Sequence, residues 1–247
     1  IAMIIGTLVV TEQLNFLKNK DLGFDKENIV VMELQDSSFR SKVEVFKEKL
    51  ITNPNVIGAS NSTGVPGDVD WIQVMLIEQE SEMKEFAVIL TQCDYEYPKL
   101  MGFKFVEGRD FDKNMGTDDT AAVIINETAA RQFGWTDNPI GKKIQYGFDL
   151  DGGGGRIMKV IGMVKDYHFN SLHNKIEPIV MFISPVPRFI LSVKVADNKL
   201  KSTLEQIEKS LFSDNPVAYC HVAEDNGLVV GISIWFLNYS TWVGKPG

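Results

Sequence analysis

Residues that usually carry catalysis or hold metals are scarce in this chain of 247 residues, which has three histidines and two cysteines. No Gly-x-x-x-x-Gly-Lys-Ser/Thr loop occurs, so ATP is not hydrolysed here through a phosphate-cradling loop of that kind. No Gly-x-Ser-x-Gly elbow surrounds a serine, and neither cysteine has a base partner legible in the sequence. Cys93 and Cys220 permit one disulfide at most, and they fall in what read as different subdomains. Two unpaired thiols are therefore expected, and cysteine usage does not fix the compartment. An excess of positive charge is missing too. With 25 basic and 33 acidic residues the net charge is −8, and the basic residues are scattered, which argues against nucleic acid as a partner.

Long apolar runs are also few. Residues 1–11 carry no charge before Glu12, yet that many helical residues reach only about 16 Å, half of a bilayer core of about 30 Å. No basic region precedes them and no small-residue cleavage site follows, so they are not a whole signal peptide. The reading preferred is the outer half of a transmembrane helix, the alternative a buried N-terminal helix or strand. Leu14, Phe16 and Leu17 continue the apolar pattern, Lys18 and Lys20 suit a helix C-terminus, and Gly23 can end it.

What is present is the balance of a folded body, 44% hydrophobic and 23% charged residues. The length suits one large domain or two small ones. Residues 29–34 read as a buried strand. Ser41 and Glu44 have the spacing of a capping box, opening a helix whose Val43, Phe46 and Leu50 share one stripe. Pro54 stops it, and residues 56–60 return as a strand. A second unit of the same order lies near the other end: a strand at 190–195, a stripe of Leu200, Leu204, Ile207 and Leu211, and a returning strand at 217–222. Asn53-Pro54 and Asn215-Pro216 mark the same stop in both, a spaced internal repeat. The fold class expected is α+β, with these two β-α-β units forming one sandwich.

Between the units the pattern is richer in strand than in helix. Residues 72–77 and 85–91 read as a strand pair joined by an acidic turn, and 94–101 as a short helix. Residues 122–125 form a β-branched run; Asn126 then caps a short helix with Glu127 in its first turn and Gly134 at its end. Trp135, Asn138-Pro139, Gly141-Lys142-Lys143-Ile144 and the run 160–164 follow, closed by Asp166-Tyr167-His168-Phe169, Leu172-His173 and Pro178. Upstream stand Met101-Gly102 and Glu107-Gly108-Arg109-Asp110-Phe111. In this order the blocks resemble the extracytoplasmic core domain of MacB/FtsX-like ABC transporter permeases, over roughly residues 1–225.

The resemblance implies a porter-like subdomain of two β-α-β units, here 24–61 and 189–225, interrupted by an inserted β-rich subdomain at 62–188. Residues 1–23 would be the end of a transmembrane helix and its stalk, and 226–247 an atypical apolar tail in which a second spanning segment is not clearly legible. It implies a non-catalytic domain facing the periplasm from the inner membrane, passing ATP-driven movement through the stalk into the first subdomain. The partners implied are a separate ATP-binding subunit, a second permease copy in a dimer, and a periplasmic or outer-membrane protein. Leu17→Pro is expected to uncouple such movement. A stand-alone binding or sensor module for a peptide, lipid or partner protein is the alternative, and a hydrolase with an unrecognised site a third.

Weighed singly, the remaining features stay structural. In the run 149–156, Asp149 and Asp151 suit a calcium loop, but Gly153 and Val160 fall where ligands are needed, so a hairpin tip is expected. His168 and His173 are spaced for neither one helix face nor one strand face, and His221 is remote. Asp110, Asp112, Asp118 and Asp119 cluster in a loop around Gly116 and read as a solvated turn rather than an acid–base pair. Asn61, Asn126 and Asn238 match glycosylation triplets at about chance frequency. No catalytic, cofactor-binding or metal-ligating residue is assigned.

Overall fold

The computed structural model describes residues 11–12, 21–34, 40–67, 71–80, 82–135, 137–147, 154–169, 174–211, 219–225, 228–235, 239–240 and 245–246, with side chains through Glu205. In chain order the elements are β1 Ile29–Glu33, α1 Val43–Ile51, β2 Val56–Ser62, β3 Ile72–Gln79, β4 Glu82–Cys93, α2 Tyr97–Leu100 and β5 Phe105–Gly108. Then come α3 Asp118–Ala121, β6 Ala122–Asn126, α4 Glu127–Gln132, β7 Lys143–Tyr146, β8 Arg156–Val164, β9 Ile179–Ile183, β10 Ile190–Val195 and α5 Leu200–Leu211. The hairpins β11 Tyr219–Asp225 with β12 Leu228–Trp235, and β13 Tyr239–Ser240 with β14 Lys245–Pro246, complete an α+β fold.

Six of these strands close on themselves. β4 pairs with β3, β3 with β7, β7 with β8, β8 with β6, β6 with β9, and β9 returns to β4 in parallel register, Ile89 opposite Ile179. The result is a small barrel, a closure that removes free sheet edges. Strand alternation decides which side chains fill it. Met75, Ile77, Val88, Leu90, Val123 and Ile125 point inward with Ile144, Met158, Val160, Val180 and Phe182. Their neighbours Ile89, Cys93, Ile124, Ile179, Met181 and Ile183 point outward, under a second cluster built on Tyr97, Met101, Phe103, Tyr167 and Phe169. Strands buried on both faces read as continuous apolar runs, which is why β6 and β9 carry no polar alternation. α4 stops one end of the barrel with Ala129, Ala130, Phe133 and Trp135.

Residues 29–62 and 190–204 meet in a separate body. The strand expected to return after α5 into its sheet, β11, pairs with β12 instead, so the second β-α-β unit expected from the sequence does not close here. β10 lies between β1 and β2 and is antiparallel to both, so β1 and β2 are parallel with a strand between them, a split β-α-β arrangement. α1 packs Val43, Phe46 and Leu50 against Val30, Met32, Val56, Ala59, Leu191 and Val193, with Leu200 and Leu204 of α5 completing this third cluster. The barrel meets this body where β2 runs beside β4, with Ser62 opposite Cys93, Thr63 N donating to Gln92 O at 2.8 Å and Asp94 N to Asn61 O at 2.9 Å, and Ile29 packs on the barrel's outer cluster.

One local expectation is corrected. α1 begins at Val43 with Lys42 in the cap position and no side-chain cap bond, so the box from Ser41 to Glu44 does not form. Glu44 instead turns toward the next turn of its own helix, where Lys47 Nζ donates to its carboxylate at 3.1 and 3.3 Å. The residues of the opening apolar segment that are described, Thr11 and Glu12, are helical, and the rest of it lies outside the described residues.

Candidate functional site

Three sets of contacts tie the entering segment, α4 and the two bodies together. The first begins with the segment that enters from the N-terminus. Leu22 O accepts from His168 N at 2.8 Å, and Asp25 N donates to Met101 O at 2.7 Å. Between them Gly23 lies against the chain at 166–167. A Cβ there would stand 2.7 Å from Asp166 O and 2.8 Å from Tyr167 Cβ, and φ is +83°. Only glycine accepts both the approach and that backbone angle. The same segment reaches the other body. Asp25 pairs with Lys194 on β10, whose hydrogen bond holds the Asp25 carboxyl below its ordinary value, and Asn28 Nδ2 donates to Asp197 Oδ1 at 2.7 Å.

The second set locks α4 to the barrel. Asn126 is fully buried; its Oδ1 accepts from Ala129 N at 3.0 Å, as a helix cap, and from Ile179 N at 2.9 Å, while Nδ2 donates to Glu177 O at 3.0 Å. Asp166 accepts from Thr128 N at 2.8 Å, Thr128 Oγ1 at 2.9 Å and Arg131 at 2.7 Å, and its own N–H donates to Glu127 Oε2 at 3.0 Å. The far end closes with Gly134 at φ +74° and Trp135 N donating back to Ala130 O at 2.8 Å. That is the six-to-one bond of a glycine-terminated helix. Trp135 Nε1 donates onward to Glu78 O at 2.7 Å, tying the helix to β3.

The third set is the junction of the two bodies. Asp94, just past β4, accepts from Lys47 Nζ at 2.5 Å, Ser60 Oγ at 2.7 Å, Asn61 N at 2.7 Å and Glu96 N at 3.2 Å. Lys47 is 5% exposed. Burial works against its charge, but the carboxylates of Asp94 and Glu44 outweigh it and raise its pKa, so it stays a cation. Beside this knot Asn61 Nδ2 donates to Arg188 O at 3.0 Å and Ile190 O at 2.7 Å, fastening the chain where it returns from the barrel.

A family model described as MacB-like periplasmic core domain matches residues 1–210. The chain belongs to that family. Solved structures agree on the fold. The periplasmic region of MacB from Actinobacillus actinomycetemcomitans aligns at 14% identity with a TM-score of 0.54, covering 77% of this chain and 85% of that one. The extracellular domain of the ABC-type transporter YknZ from Gram-positive bacteria aligns at 15% identity with a TM-score of 0.50, covering 76% and 94%. None of the curated proteins compared with the chain matches it in sequence. Among the described residues no helix is long and apolar enough to cross a membrane.

Within the MacB-like domain the residues singled out in the sequence fall to structural duties. Asp118 is not a solvated turn residue as expected. It is 1% exposed and takes both Arg109 nitrogens, at 2.5 and 2.9 Å, plus Asp112 N at 3.0 Å. The Arg109 hydrogen bonds hold its carboxyl below the ordinary range. Burial pushes Asp110 the other way, to about 6, against the hydrogen bond from Phe111 N and with Glu96 adding to the rise. Asp112 receives Asn114 N and Nδ2, each at 2.9 Å, as a turn residue does. Cys93 is a free, buried thiol pushed well up by desolvation. Asn61 and Asn126 are both buried, so neither offers an accessible amide. Asp149, Asp151, Gly153, His173 and Asn238 lie outside the described residues, as do the side chains of Cys220 and His221. Among the described residues, no three His, Cys, Asp or Glu gather to hold a metal ion.

Sequence reasoning missed Asp94 and Lys47 altogether. The signals were a lysine on the apolar stripe of α1, one residue after Phe46, and a lone aspartate directly after an apolar strand.

Proposed function

We propose that this chain is the non-catalytic extracytoplasmic domain of an ABC transporter permease, carrying ATP-driven conformational change across the inner membrane for export or envelope processes. The first body, at 24–61 and 189–225, is the porter-like subdomain, and the barrel at 62–188 is the insert that rides with it. ATP is hydrolysed on a separate subunit, two permease copies act as a dimer, and a periplasmic or outer-membrane protein is the further partner. The observation that carries this reading is the seat of residues 21–25. They are bonded to Met101 and His168 on the barrel side and, through Asp25, to Lys194 on the other, with Asn28 just beyond donating to Asp197, so displacement of the entering segment reaches both bodies at once. Movement expected from the sequence to enter the first body alone is thus proposed to reach the barrel as well. Rigid transmission follows from the packing, because close-packed cores shift as units rather than deforming continuously.

The test uses the full-length protein purified from membranes into nanodiscs. An ATPase subunit is expected to co-purify, and trapping it with ADP and vanadate is expected to change a distance between the entering segment and the same segment of the second copy. Purification without any ATPase, or distances indifferent to nucleotide, would overturn the proposal.

A further inference from the structure

Every buried member of the third apolar cluster comes from the first body, and β2 meets β4 through one ladder pair flanked by Thr63 N to Gln92 O at 2.8 Å and Asp94 N to Asn61 O at 2.9 Å. Those backbone bonds lie along one line, so side-chain contacts beside it fix the angle between the bodies. The Asp94 carboxylate is placed to do it, because it belongs to the barrel while three of its four donors belong to the other body: Lys47 Nζ on α1, and Ser60 Oγ and Asn61 N on β2.

We infer that Asp94 is a pin seated in a three-donor socket, and that seating it fixes one resting orientation of the barrel on the first body while withdrawing it releases the joint. The inference rests on the two-body reading above. Several features make withdrawal accessible. A cavity of about 270 Å³ opens beside the pin, bounded by Lys47, Asp94, Tyr95, Lys113 and the turn at 184–187, so water can enter as the pin leaves. Lys47 is not stranded, because Glu44 already holds its ammonium from the same helix and is itself 62% exposed. Ser60 and Asn61 N remain as neutral donors that water can satisfy. A joined state held by charge-assisted bonds and a parted state held by Glu44 and water are two discrete arrangements, as a switching element requires.

The test is a distance measurement on the full-length protein without nucleotide, with spin labels on unnatural amino acids replacing the exposed Glu48 on α1 and Glu107 on β5. The wild type is expected to give one narrow distance. Asp94→Asn and Lys47→Met are each expected to broaden it at least twofold or add a second distance, and the double variant to do no more than the stronger single one. Cooperative melting with unchanged distances in both variants would overturn the inference. Should Asp94→Asn fail to fold, Lys47→Met and Ser60→Ala decide it: broadening supports the pin, and two wild-type widths overturn it. A wild type whose distances ignore vanadate trapping would count against the transmission reading alone, since the pin is judged from the nucleotide-free widths.

Discussion

At the level of single residues, the blocks that identify the family are explained by close approach rather than by chemistry. Gly108 on β5 and Gly162 on β8 lie opposite each other, and a Cβ on Gly108 would meet Ile161 O at 2.2 Å, one on Gly162 Arg109 O at 2.3 Å. Backbone cannot yield as a flexible side chain can. Gly108→Ala, at φ +73°, is therefore expected to destabilise by about 2–3 kcal/mol, a fall in Tm of about 4–12 °C by calorimetry. Asp110 makes a prediction of opposite sign. Its folded pKa, about 6, lies above its ordinary value of 3.8, so the native state binds its proton more tightly than the unfolded state does. The stability this gives is complete below about pH 4 and lost as pH rises through 6. Asp110→Asn keeps an oxygen for Phe111 N without the buried charge. It is expected to exceed the wild type by about 1–3 kcal/mol at pH 7.5 in urea titrations, with the gain vanishing toward pH 4. Equal gains at both pH values would show that desolvation of the carboxylate is not the cause.

Among the elements, α4 depends most on a single side chain. Its six residues are too few to be stable alone, so it forms because Asn126 caps it and Asp166 gathers its first turn. Asn126→Ala removes three hydrogen bonds at once, two of them buried, and leaves Ile179 N and Glu177 O without that partner. A loss of about 2–4 kcal/mol is expected in denaturant melts, with Asn126→Asp losing less because it retains both acceptor bonds. This cap was legible in the sequence, as were β1, β10 and the Leu200–Leu204 half of the α5 stripe, since each follows from local pattern. The barrel was not. β5, β7 and β9 are only four or five residues long, and closure depends on β4 meeting β9 in parallel across almost ninety residues of chain. No local rule encodes such a pairing. β8 is harder still: Val160 faces inward and Ile161 outward, but the irregular register against β6 brings Met163, not Gly162, back toward the interior. The alternation expected of a plain strand therefore fails midway.

For the molecule as a whole, the division of the core governs how it should open. Two clusters lie on the inner and outer faces of the same barrel strands and share their backbone, so they rise and fall together. The third is separate and joined through hydrogen bonds around Asp94 and Asn61. The polar, part-buried contacts at the joint couple the bodies less than a shared apolar core would, and local opening follows the weaker coupling. Native-state hydrogen exchange is accordingly expected to resolve two cooperative units. Amides of β6, β8 and β9 should exchange with one free energy, and those of β1, β2 and β10 with a lower one, because this smaller sheet rests on a smaller core. Leu191→Ala, at a fully buried position in the third cluster, sharpens the comparison. It is expected to lower the free energy of opening by about 2–4 kcal/mol for β1, β2 and β10 and to leave the barrel amides within about 0.5 kcal/mol of the wild type. If the barrel lost protection equally, the chain would be one cooperative body. The movement proposed to enter at residues 21–25 would then have no joint at which to turn.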